Sequence, residues 1–237
     1  MVPLLILCAA LFMITVERFR PARHWPRVKG WLVRAWVVSA LQGLVVLAFG
    51  AFLDDFLQGQ HLFVLARSGA RLWPSLIGYV VVTFVFYWWH RARHRSDVLW
   101  RYLHQFHHSP QRLEAITAFY KHPLELVSNS MITSLVLYVL CGLSPAQAAG
   151  TLALCGLGEL FYHWNVRTPR WLGLFIQRPE MHCEHHREGI HACNYGDLPV
   201  WDLLFGSYTN PEVFDGRCGF GDDEHRLREL LLARKVA

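Results

Sequence analysis

Four long stretches of this chain, residues 35–53, 72–89, 126–143 and 146–162, are apolar and almost free of charge, and a fifth, 2–16, is shorter. A bilayer crossing by a helix needs about 20 apolar residues, within a range of roughly 17–25. The four longer stretches meet that length and the first is marginal. Only helices or closed barrels satisfy their backbone in lipid, and runs of this length without alternation predict helices. The expectation is an all-α integral membrane bundle of four to five segments. Composition agrees, at 53% hydrophobic and 17% charged. The net charge of +5 suits anionic lipid headgroups. It is not gathered into a separate basic stripe, which argues against nucleic acid as a partner. The six cysteines show no CxxC spacing and predict no disulfide framework.

Loop charges orient the chain. Residues 17–34 carry six Lys/Arg against one acid, whereas 54–71 carry two of each sign. The positive-inside rule places the first loop in the cytoplasm and the second outside. Counting crossings returns 90–125 to the cytoplasm. A tight hairpin over 126–162 turns at Leu143-Ser144-Pro145, and everything after it is cytoplasmic. The charged tail carries a short amphipathic pattern at Leu227, Leu230 and Leu231.

Histidines gather at the ends of these apolar stretches. They read His90-x-x-x-His94, then His104-x-x-His107-His108, a single His163, and His182-x-x-His185-His186. Residues three and four apart on a helix share a face, so each cluster aims its imidazoles at one point. Packing gives no reason to collect imidazoles, because buried unpaired ones are costly and protonated ones repel. Neutral imidazole binds zinc, copper, iron and nickel. Nine histidines exceed the needs of one ion, which predicts a two-metal site on the cytoplasmic side. His24, His61 and His225 have no partner at ligand spacing. His122 before Pro123 is open to three readings: ligand, donor behind a ligand, or helix start. His191 belongs to an isolated Glu188-x-x-His191. Asp202 either accepts an N–H from a ligating imidazole or packs the tail. Glu159, late in an apolar stretch, faces the site or pairs with an arginine.

Taken together, His90-Arg-Ala-Arg-His94, Trp100-Arg-Tyr-Leu-His104-Gln-Phe-His107-His108-Ser109-Pro110, His122-Pro-Leu-Glu125, His163-Trp-Asn165, Pro179-Glu-Met-His182-Cys-Glu-His185-His186, Asn194-Tyr195-Gly196 and Trp201-Asp202-Leu-Leu-Phe205-Gly206 resemble the fatty acid hydroxylase / sterol desaturase superfamily of membrane di-iron enzymes. Arg167 stands where some members have a further histidine. The resemblance implies two irons, with zinc as a possible substitute and O2 as co-substrate, held by His90, His94, His104, His107, His108, His163, His182, His185 and His186. His122 and Asp202 are expected behind those ligands. The implied reaction is hydroxylation or desaturation of an unactivated C–H of a sterol, fatty acyl lipid or carotenoid. A lipid substrate would enter from the bilayer. Neither His-Pro-Gly-Gly nor Gly-x-Gly-x-x-Gly occurs in the sequence, so electrons are expected from a separate ferredoxin, cytochrome b5 or reductase. A non-enzymatic metal transporter is the rival class, disfavoured because transport ligands lie near the bilayer midplane. The expected units are membrane helices over 1–71, a catalytic domain over 72–211 and a charged tail over 212–237.

Overall fold

A computed structural model describes residues 2–49, 52–53, 55–57, 59–190 and 192–236. Among these residues there is no strand beyond an isolated bridge between Arg187 and Cys218. The principal helices are α1 (Val2–Phe19), α2 (Trp31–Phe49), α3 (Leu72–Arg95), α4 (97–108), α5 (Pro123–Ser134), α6 (Pro145–His163), α7 (Pro179–His185), α8 (Pro199–Phe205) and α9 (Leu227–Leu231). Helix α4 is π-helical over Trp100–His104, and α5 runs on as π-helix through Leu135–Leu140.

Four helices are long and apolar enough to cross a membrane: Val2–Phe19, Trp31–Ala48, Leu72–Arg95 and Pro123–Leu140. Leu4, Phe12, Leu44, Leu47, Leu76 and Val80 are exposed along them. A bundle in water would hide such a belt, and lipid is the solvent that accepts it. The protein is an integral membrane helical bundle. The marginal first stretch is therefore extended to a full-length helix. The stretch 146–162 differs from expectation, because α6 is not one of the four. Its Ala, Gly, Thr and Cys residues lower its hydropathy and let neighbours approach. A Cβ on Gly150 would lie 2.5 Å from Ser75 Oγ, and one on Gly156 2.8 Å from Ile6 Cδ1. Small residues at a helix–helix contact in lipid permit this close packing. Ala148, Thr151 and Leu160 are accordingly buried, and α6 is the central post between α1 and α3.

Local signals set the helix ends. Ser144 caps α6 in a reciprocal box with Gln147, with Pro145 in the first turn. The hairpin before it needs Gly142 at φ 57, where a Cβ would lie 2.0 Å from Phe63 O. Ser96 is extended and accepts from Leu99 N at 3.3 Å, so the chain breaks after α3 and α4 folds back beside it. The tail is packed rather than loose. Leu230 of α9 is fully buried, Gln105 Nε2 donates to Arg234 O at 2.8 Å, and Arg34 pairs with Glu224.

Candidate metal centre

Helices α3, α4, α6 and α7 bring nine imidazoles together at one end of the bundle. They form two groups, His90, His94, His104, His108 and His185 in one, and His107, His163, His182 and His186 in the other. Within each group, one nitrogen per ring lies within 4.8 Å of every other. The expectation that each cluster converges on one point holds for His90 and His94 and is corrected for the other two clusters. His104 and His108 enter the first group, while His107 enters the second. His182 and His186 enter the second, while His185 enters the first. Helical geometry explains the exchange. Positions i and i+4 are about 40° apart around the axis, whereas i+3 falls about 60° to the other side. Each helix thus gives its i, i+4 pair to one group and its i+3 ring to the other. Stacked His108 and His186 rings, 4.0 Å apart, join the groups. The π-helical turn ending at His104 shifts this register locally, a distortion common at functional sites.

Four rings are oriented by carbonyl acceptors behind them, and a fifth, His104, lies between an acceptor and a donor. His90 Nδ1 donates to Tyr195 O at 2.8 Å, His107 Nδ1 to Tyr120 O at 3.1 Å, His163 Nδ1 to Glu159 O at 2.8 Å and His185 Nδ1 to Cys193 O at 2.6 Å. His104 Nδ1 lies 3.0 Å from Glu125 Oε1 and 3.1 Å from Arg93 Nη1, so it donates to the carboxylate in one tautomer and accepts from the guanidinium in the other; the carboxylate also accepts from Arg93. With the proton on Nδ1, each Nε2 presents a lone pair inward. His182 Nδ1 is buried with no hydrogen-bond partner, and its ring rests on Tyr162 at 4.4 Å.

These tautomers test whether a cation fits. His90 and His104 Nε2 are 2.9 Å apart, and His107 and His163 Nε2 are 3.4 Å apart. In the His107–His163 pair both ring protons are committed to carbonyls on the far side, so two lone pairs face each other with no hydrogen between them. Burial, aided by neighbouring Arg93 and imidazoles, holds His104 well below the usual histidine range; burial does the same at His107, His108 and His182. Protonation therefore does not relieve the contact. A metal ion does. Ligand nitrogens about 2.1 Å from one ion stand about 3.0 Å apart at right angles and about 3.4 Å apart in a tetrahedron. The observed spacings fall at those two values, and each group can hold a metal ion.

The residues expected behind the ligands lie elsewhere. His122 caps α5, accepting from Leu124 N at 3.2 Å, while its Nε2 lies 3.2 Å from Leu231 O in the tail. It joins neither histidine group, so the helix-start reading describes it. Asp202 accepts from Tyr195 N, Gly196 N and Ser207 Oγ at 2.8, 2.9 and 2.7 Å. It acts on the turn that carries Tyr195 O, one step behind His90, and burial pushes its carboxyl up to about 6. Glu159 pairs with Lys121 rather than an arginine. Arg167 is exposed, and His191 lies outside the described residues.

Sequence reasoning gave no role to Glu125 or to the carbonyl acceptors. Asn194-Tyr195-Gly196 is expected to build a turn, and Asn194 does so. This buried residue sits at φ 52 and ties Met181 O, Thr209 O and Thr209 N through its amide. It thereby fixes the turn that offers Cys193 O and Tyr195 O on either side. A backbone acceptor has no side-chain signature, but Asn is a residue that tolerates the left-handed region, and Asn194-Tyr195-Gly196 reads as such a turn.

Fold and site thus define a membrane-embedded helical protein with a two-part, all-histidine metal-binding centre. Residues 75–207, more than half of the chain, match the fatty acid hydroxylase family model, and the chain belongs to that family. It is 32% identical over 150 residues to an ornithine lipid hydroxylase of Rhizobium tropici, covering 59% of this chain and 44% of that protein. It is 29% identical to a sphingolipid C4-hydroxylase of Schizosaccharomyces pombe, covering 53% and 44%. It is 28% identical to an alkylglycerol monooxygenase of Homo sapiens, covering 64% and 34%. The chain spans less than half the length of each of these relatives. No solved structure matches it.

Proposed function

We propose that the chain is a membrane oxygenase that holds one iron ion in each histidine group and uses O2 to hydroxylate or desaturate an unactivated C–H bond of a bilayer lipid. The observation that carries this reading is the gathering of nine imidazoles into two groups, with the lone pairs of His107 and His163 facing each other across one of them. When bound, the ions supply the activation of O2 that no side chain provides. Zinc suits the same imidazoles as an inactive substitute.

The protein's part is positioning. The carbonyls of Tyr120, Glu159, Cys193 and Tyr195 fix four rings in the metal-accepting tautomer, and the carboxylate of Glu125 favours it at His104. Burial of His104, His107, His108, His163, His182, His185 and His186 keeps water away, and it holds His104, His107, His108, His163 and His182 neutral. The exposed apolar belt favours a substrate delivered from the bilayer, and relatives named for an ornithine lipid and a sphingolipid support that class. Loop charges support a cytoplasmic centre, and the spread of the histidine motifs with the family match over 75–207 supports a catalytic unit over 72–211; its electrons would come from a separate ferredoxin, cytochrome b5 or reductase.

The test joins metal analysis to lipid profiling. Purified protein should hold two ions per chain, one for each group. Cells expressing it should accumulate one lipid heavier by an oxygen or lighter by two hydrogens, and a His185→Ala variant should not make it. A folded preparation with one ion, or a fully active His185→Ala variant, refutes the reading.

A further inference from the structure

A second polar pocket lies beyond the histidines, where the chain leaving α1 meets the start of α7. It has a volume of about 350 Å³, and its lining includes Arg23, Arg167, Thr168, Arg170, Glu180 and Glu212. Its charges are not balanced. Glu180 accepts from Thr168 N at 3.0 Å and Thr168 Oγ1 at 2.7 Å, and pairs with buried Arg178 at 3.1 Å. Arg178 is spent on Thr168, Asn210 and Pro211. Arg23 therefore has only a distant 3.6 Å contact with Glu180, and its Nε and Nη1 are buried with no hydrogen-bond partner. Buried donors without acceptors are costly, so this arginine is set for an acceptor that the chain does not supply. Arg167 and Arg170 are exposed at the same pocket.

The surroundings indicate where the acceptor comes from. Immediately after Arg170, Trp171, Leu174 and Phe175 are 63%, 55% and 67% exposed, and Val213 on the far wall is 56% exposed. Arg23 follows the last residue of a membrane-length helix by four positions, and that residue, Phe19, is 82% exposed. Arginines beside protruding aromatic residues, next to a helix end, are the arrangement of a bilayer interface.

We propose that this pocket binds the phosphate-type oxyanion of a membrane lipid headgroup. Arginine's forked donors match such a group, and the apolar edge beside them accepts the adjoining acyl chains. The proposal concerns binding alone and does not rest on the reaction proposed above.

The test is equilibrium binding to the purified full chain in neutral maltoside micelles. The probes are dihexanoyl phosphatidic acid, dihexanoylglycerol and inorganic phosphate. Phosphatidic acid should bind at least about tenfold more tightly than either other probe, the worth of one charge-assisted hydrogen bond. R167Q/R170Q, which alters only exposed side chains, should weaken it about tenfold while metal content stays unchanged. R23Q should do the same. Equal binding of dihexanoylglycerol leaves only an apolar edge and overturns the proposal. Equal binding of inorganic phosphate makes it a soluble-anion site and also overturns it, as does an R167Q/R170Q variant that binds phosphatidic acid like the wild type. None of these results bears on the proposed reaction, because no turnover is measured.

Discussion

Replacing Glu125 by Gln should produce two separable losses. Glu125 is fully buried, and its Oε1 accepts from His104 Nδ1 at 3.0 Å and from Arg93, itself 4% exposed. Removing the carboxylate charge strands a buried guanidinium, and breaking a buried pair from one side destabilises by about 3–5 kcal/mol. It also weakens the acceptor beside His104 Nδ1 that favours the metal-accepting tautomer over the one accepting from Arg93, and loss of such a partner lowers metal affinity roughly 10–100-fold. A double variant separates the two effects. Glu125→Gln with Arg93→Met leaves no stranded charge, so most of the stability should return while metal affinity stays low. Thermal unfolding followed by tryptophan fluorescence reads the first quantity, and metal retained against a graded chelator reads the second. If the double variant regains wild-type metal affinity, His104 is not oriented by this carboxylate and the argument fails. It fails equally if Glu125→Gln alone keeps both properties.

Asn194→Ala should lose three hydrogen bonds at about 1 kcal/mol each and add about 1 kcal/mol for placing alanine at φ 52, whereas Asn194→Gly should recover that last part. Unfolding of the two variants side by side checks this, and equal stabilities contradict it. His107→Ala should release metal from the second group, while His122→Ala should keep both ions and lose only a helix cap worth about 1 kcal/mol, as elemental analysis and thermal unfolding will show. The Asp202 carboxyl, raised from 3.8 to about 6, favours the fold most when protonated. Its contribution is complete below about pH 4 and is lost as pH rises through about 6, so wild-type stability should fall more than that of Asp202→Asn over this window, and parallel pH profiles would contradict the assignment.

The apolar runs and the histidine clusters are readable in the sequence because both are local. A run of 18 uncharged residues states its own length, and the spacing of His90 and His94 states that they share a helix face. The caps at Ser144 and Ser96 are local in the same way. Three things were decided only when the chain closed on itself. Helix α6 became the central post rather than another lipid-facing span, because Gly150 and Gly156 lie against Ser75 and Ile6, neighbours far away in sequence. The clusters were divided between two metal groups, because α4 and α7 meet so that the i, i+4 pair of one faces the i+3 ring of the other, and no single helix specifies its partner's phase. The tautomers were set by carbonyls of Tyr120, Cys193 and Tyr195, which every residue possesses and which acquire a role only by position. The sequence determined which side chains gather at the site; the tertiary structure determined which nitrogens face each other, because a lone pair's direction depends on what holds the other side of its ring.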